Sequence, residues 1–138
     1  MPLLAIALRN ERRELSRLAA VVEQFGAEHH LSGDSVMNVN LVLDEIVANV
    51  IRHAGLDAND RIDVRLAFDG SAVSIEVTDA GVAFNPLDAP PPKLDASIAE
   101  RAPGGLGIHI VKTIARSVTY RRADDRNHLS AIVPVEHA

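Results

Sequence analysis

The sequence predicts an α+β fold, and three observations carry that expectation. Apolar residues recur at helical spacing in two stretches, Glu11–His29 and Asp34–Ala54. Two runs of period-two alternation flank Asp69-Gly70, a strong hairpin signal. A second pair of short strand-like runs closes the chain around Asp124-Asp125-Arg126-Asn127.

Taken in order, Leu4, Ile6 and Leu8 alternate as a short first strand. Leu15, Leu18, Ala19, Val22 and Phe25 then form the apolar stripe of a first helix. Leu31-Ser32-Gly33-Asp34 interrupts it, and Ser32 or Asp34 stands as the N-cap of a second helix that has no Gly or Pro up to Ala54. Gly55 closes that helix, because glycine accepts the left-handed conformation common just past a C-terminus.

The first hairpin pairs Arg61–Phe68 with Ala72–Asp79. Between Leu87 and Pro103 the chain is irregular and carries Pro90-Pro91-Pro92, with room for a helical turn or two at Leu94–Arg101. A loop of that length suits a lid, a binding loop or disorder. Gly104-Gly105-Leu106-Gly107 opens a third helix, Ile108–Arg116, and strands Ser117–Arg122 and His128–Val133 finish the chain.

Composition narrows the function classes. The chain has 138 residues, 47% of them apolar, enough for one domain (1–138) with a core of its own. A net charge of -5 disfavours a nucleic-acid partner, and an aromatic content of 3% disfavours a base-stacking surface or an aromatic-lined ligand cage. Without cysteine there is no disulfide, thiolate zinc site or Cys nucleophile, and the six histidines show no HExxH or HxxxH spacing. The apolar run Leu3–Leu8 is too short for a membrane span, so no membrane association and a cytoplasmic location are expected.

Four groups of residues stand out. On the second helix, Val36, Val39, Leu43, Ile46, Val47 and Val50 project onto one apolar arc at about 100° per residue. Glu45, Asn49 and Arg52 line up on the opposite side, with His53 beside them and Asn38 in the same line. The simple reading is a solvated face. The sharper one is a metal–nucleotide face, in which the Asn49 amide oxygen ligates Mg²⁺ and Glu45, one turn away, accepts a proton.

Asp79 continues the inward parity of Val73, Ile75 and Val77, where a carboxylate needs a partner, either a backbone N–H or a ligand amine. The Gly104–Gly107 cluster exposes backbone N–H groups at a helix start, for an anion or simply for tight packing. Lys93 and Arg101 are the basic residues of the long loop, candidates for a phosphate or ordinary surface charges.

The order of these parts resembles the GHKL ATPase superfamily. Leu43–Ala54 looks like its N-box, Asp79–Phe84 like its G1 box, and Gly104–Lys112 like its G2 box. The resemblance covers about 34–133 and implies the Bergerat fold, a two-layer α/β sandwich whose mixed, mostly antiparallel sheet is covered on one face by helices, with an ATP lid at about 85–103. It implies ATP and Mg²⁺ as ligands. Glu45 would be the catalytic base and Asn49 the metal ligand. The nucleotide would be held by Asn49, Arg52, His53, Asp79, Gly81, Ala83, Phe84, Lys93, Arg101, Gly104, Gly105, Leu106, Gly107 and Ile108.

Asp79 would read the adenine amine, with Gly81 letting the ring approach. Where the G1 pattern Asp-x-Gly-x-Gly has its second glycine, this chain has Ala83, at a cost of about 1–2 kcal/mol if that position needs positive φ.

Within the superfamily, the short length and the Tyr120-Arg121-Arg122…Arg126-Asn127-His128-Leu129 ending resemble the RsbW-like anti-sigma-factor serine/threonine kinases. That likeness implies phosphorylation of a STAS-domain antagonist, binding of a sigma factor, and a homodimer. Two rival readings are a nucleotide-gated module that sequesters its partner without phosphotransfer and a plain interaction domain. Sensor histidine kinases and gyrase-, MutL- or Hsp90-type machines fit less well, since they add a phospho-accepting helix or transducer domains.

Overall fold

The computed structural model describes residues 3–57, 59–88 and 105–138. The first hairpin forms because Asp69 fixes its turn: Oδ1 accepts the backbone N–H groups of Ser71 and Ala72, both at 2.8 Å, while Gly70 takes φ +98°. These bonds hold the Asp69 carboxyl below the ordinary range, so what they add to stability is present at neutral pH and lost as pH falls below about 4.

Strands β2 (Arg61–Phe68) and β3 (Ala72–Asp79) pair across this turn. With β1 (Leu3–Arg9), β4 (Ser117–Ala123) and β5 (Arg126–Pro134) they build a five-stranded sheet in the order β1-β2-β3-β5-β4. All four pairings are antiparallel, so the parallel component allowed for in a mixed sheet is not found among the described residues.

The closing hairpin turns on Asp124 and Asp125, whose φ values of 54° and 58° are both left-handed, as a two-residue type I′ turn demands. Asp tolerates that region less well than glycine. Asp125→Gly is therefore expected to add about 1 kcal/mol of stability, a rise in Tm of about 4 °C for a chain of this size, read by calorimetry.

Three helices cover the sheet on one face: α1 (Glu14–Glu28), α2 (Gly33–His53) and α3 (Gly105–Ile114). Ser32 caps α2 by accepting the Ser35 N–H at 3.1 Å, and Gly55 follows its C-terminus at φ +67°. Val42, Leu43, Ile46 and Val47 are completely buried, each worth about 1.5–3 kcal/mol relative to exposure. They pack with Val64, Leu66, Ile75, Val77 and Val133 of the sheet.

Helix α2 touches α1 on one side, α3 on the other, and β3 and β5 beneath. A single apolar arc therefore understates its burial. Asn49, expected opposite that arc, is only 3% exposed, whereas Arg52 and His53 are exposed as expected. No helix among the described residues is long and apolar enough to cross a membrane.

Candidate nucleotide site at the end of the sheet

Antiparallel register brings the polar residues of three elements together. Asp79 ends β3 directly opposite Asn127 of β5, and both side chains point to the helix-covered face, 2% and 5% exposed. Above them lies the last part of α2. Ile46, Asn49, Val50 and Ala54 share one cavity with Val77, Asp79, Phe84, Pro86, Tyr120, Asn127 and Leu129. Asn49 and Asp79 thus line one space, mostly apolar with a few convergent polar groups; at about 20 Å³ it has room for about one water, so a larger ligand enters only as its walls part.

Asp79 finds a backbone partner. Its Oδ1 accepts the Gly81 N–H at 2.9 Å and the Asn127 amide at 3.0 Å. The Asp79–Gly81 turn is then docked onto the end of α2, where the Val82 N–H donates to the Ala54 carbonyl at 2.8 Å. A Cβ at Gly81 would lie 2.6 Å from Ala54 Cβ and 2.9 Å from its carbonyl carbon. The glycine is thus required by helix α2 itself, not solely by an approaching ring. Ala83 does not adopt positive φ; among the described non-glycine residues only His30, Asp124 and Asp125 do. Its replacement of the glycine therefore carries none of the left-handed strain considered above.

At the helix, Asn49 Oδ1 accepts from Arg52 Nη2 at 2.9 Å. The reverse amide orientation would set donor against donor, so this assignment follows from the guanidinium. Asn49 Nδ2 is buried and donates to no described residue, a state that costs about 1–3 kcal/mol unless a ligand or water accepts from it. His53 stacks on Phe84 with ring centroids 4.7 Å apart.

Glu45, half-buried, lies against the first turn of α3: a Cβ built on Gly107 would be 2.7 Å from the Glu45 carboxyl carbon. Ile108 is buried beside it in α3. Gly107 is thus packed against the Glu45 carboxylate. Gly105 and Leu106 belong to α3 by backbone, while Lys93, Arg101 and Gly104 lie outside the described residues.

Three residues that sequence reasoning left unassigned complete the arrangement. Asn127 Nδ2 donates to Asp79 and, at 2.8 Å, to the Val82 carbonyl. Its Oδ1 accepts from the Tyr120 hydroxyl at 2.6 Å, from Arg122 at 3.2 Å and from the Phe84 N–H at 3.3 Å. Arg122 also donates to the Gly81 carbonyl at 2.7 Å. A signal existed: Asn127 shares inward parity with Leu129, Ala131 and Val133, the same argument that singled out Asp79. Phe84 and Tyr120, two of the chain's four aromatic residues, line the cavity despite the low aromatic content.

The residues suit a magnesium nucleotide. Among the described residues no cluster of three His, Cys, Asp or Glu could cage a metal. Mg²⁺ needs only one or two protein oxygens when phosphates and water supply the rest, and Asn49 Oδ1 is a hard, neutral oxygen of that kind.

A helix-covered antiparallel sheet with this pocket at one end defines a GHKL-type ATPase domain. Residues 8–133 match the family described as Histidine kinase-like ATPase domain, and the chain belongs to that family. It is 30% identical over 93 residues to the serine/threonine-protein kinase BtrW of Bordetella bronchiseptica, an alignment covering 67% of this chain and 66% of that kinase. The fold is similar to that of the RsbU and RsbW domains of Rv1364c from Mycobacterium tuberculosis, with a TM-score of 0.71 at 15% identity. That match covers all of this chain and 34% of the other. The blue-light activated histidine kinase EL346 of Erythrobacter litoralis follows at a TM-score of 0.57 and 14% identity, covering 89% of this chain and 41% of that one.

Proposed function

We propose that the chain is a serine/threonine protein kinase that binds ATP with Mg²⁺ and phosphorylates a STAS-domain antagonist in a partner-switching circuit, releasing or capturing a sigma factor as it does so. The observation that carries this reading is the shared cavity of Asn49 and Asp79, contributed by elements distant in sequence. Kinship with a serine/threonine kinase supports the reaction class.

Asp79 Oδ2 accepts the exocyclic amine of adenine, since Oδ1 already serves Gly81 and Asn127. Asn49 Oδ1, which now accepts from Arg52, would hold Mg²⁺ once freed, and Arg52 would then face the phosphates; the metal would supply charge neutralisation there. Glu45 takes the proton of the acceptor Ser or Thr hydroxyl as its oxygen bonds to the γ-phosphorus and the bond to the bridging oxygen breaks, leaving ADP. Gly107, in the first turn of α3, would steady the phosphates; most of the lid expected at about 85–103, with Lys93 and Arg101, and Gly104 lie outside the described residues. The chain works as a single domain, as a homodimer in the cytoplasm.

Binding is tested first by thermal shift. ATP and Mg²⁺ at about 100 times Kd should add about 2.7 kcal/mol, a Tm rise of about 10 °C that shrinks when EDTA is added. No shift with any adenine nucleotide would remove the assigned pocket. Incubation with labelled ATP and a STAS-domain protein recovered from the native host then reads the chemistry; saturable binding with no label on the partner would leave a nucleotide-gated sequestering module.

The pocket assignment also predicts a defect for Asp79→Asn, which presents an amine to an amine if its amide turns the wrong way. ATP affinity should fall by about 10²-fold or more, the loss expected of a buried charge-assisted hydrogen bond. Unchanged calorimetric affinity would contradict the role given to Asp79.

A further inference from the structure

Asn127 uses every hydrogen-bonding capacity it has. Both amide hydrogens are placed, on Asp79 Oδ1 and the Val82 carbonyl, and its oxygen takes the Tyr120 hydroxyl with Arg122 and the Phe84 N–H. A saturated amide has nothing left with which to touch a base directly. What it does control is the carboxylate beside it. With Oδ1 held from two sides at 2.9 and 3.0 Å, the plane of Asp79 is fixed and Oδ2 is left without a hydrogen bond from any described residue. The same amide ties down the turn that leads from Asp79 to Phe84, another wall of the cavity.

From this geometry we infer that Asn127 is the positioning residue that makes the pocket selective for a 6-aminopurine over a 6-oxopurine. The inference rests on the adenine-nucleotide reading of Asp79 and deepens it. A fixed acceptor oxygen pairs with an amine and repels a carbonyl. A carboxylate free to turn evades the carbonyl or follows the neighbouring ring N–H, so discrimination comes from immobility as much as from charge. Tyr120 serves the same end one step further out, since its hydroxyl orients the Asn127 amide from the opposite side.

The experiment compares Kd for ATP and for inosine triphosphate, which carries a 6-oxo group in place of the 6-amino group, by fluorescent-nucleotide competition on the full chain. Wild type should prefer ATP by about 100-fold or more. Asn127→Ser should cut that ratio by about 10-fold or more, chiefly by weakening ATP, in proportion to the loss of a charge-assisted bond. Tyr120→Phe, which keeps the ring and both Asn127 amide contacts, should lower the ratio by about 3-fold with a melting temperature near wild type.

A purely structural Asn127 would weaken both nucleotides equally, and an unchanged ratio in a folded Asn127→Ser overturns the inference while leaving the ATP site standing. If Asn127→Ser does not fold, an unchanged ratio in Tyr120→Phe overturns it alone. Wild type that binds neither nucleotide takes down the pocket and the inference together.

Discussion

Glu45→Gln is expected to keep ATP binding near the wild-type level while phosphoryl transfer falls by about 10²- to 10⁴-fold, the usual contribution of a general base. The substitution preserves size and removes only the ability to hold a proton. Glu45 is not among the residues that line the cavity holding Asp79 and Asn127, so the base-binding end should not register the change. Calorimetry with ATP and Mg²⁺ would give the affinity, and single-turnover transfer to the partner protein would give the rate. Equal turnover in the two proteins would exclude Glu45 from the chemistry; parallel loss of affinity and rate would make it a binding residue.

The parts of this site differ in how readable they are from sequence, and the reason is geometric. Local signals fared well: the Ser32 cap, the Gly55 terminus and the Asp69-Gly70 turn each depend on residues adjacent in the chain. Parity along β3 placed Asp79 on the inner face, because a strand has only two faces.

The helix projection misplaced Asn49 because it presumes one buried side. Helix α2 has neighbours on both flanks, and where α3 packs is a tertiary fact no window of sequence contains. Parity put Asn127 on the inner face of its strand, but its role was not legible for a related reason. Its importance arises from standing opposite Asp79 across the β3–β5 ladder, and the pairing of two strands separated by a helix and a long loop is not a periodic property. The backbone at Ala83 is of the same kind: whether a second glycine is dispensable depends on φ, which only the folded turn supplies.

Gly107→Ala should separate stability from chemistry in the opposite way to a core mutation. In an ordinary helix the change gains up to about 1 kcal/mol from propensity. Here the added methyl would fall on the carboxyl end of Glu45, the mobile tip of a flexible side chain. The helix has no need to move, because the carboxylate can swing aside, so the melting temperature should stay level or rise. A displaced base is another matter: a shift of about 1 Å in a reacting group can cost about 10²-fold in rate.

Transfer should therefore drop by about that factor in a protein at least as stable as wild type. Gly81→Ala provides the contrast, since its methyl would meet the Ala54 carbonyl and Cβ, which cannot swing away, and it should lose about 1–3 kcal/mol instead. The two-residue cycle makes the argument strict. In a Glu45→Ala background the methyl at 107 has nothing to displace, so Gly107→Ala should change neither the residual transfer rate nor anything but a small gain in Tm. A rate loss of the same size with and without the Glu45 side chain would mean that Gly107 acts on the phosphates directly, not through the carboxylate it touches.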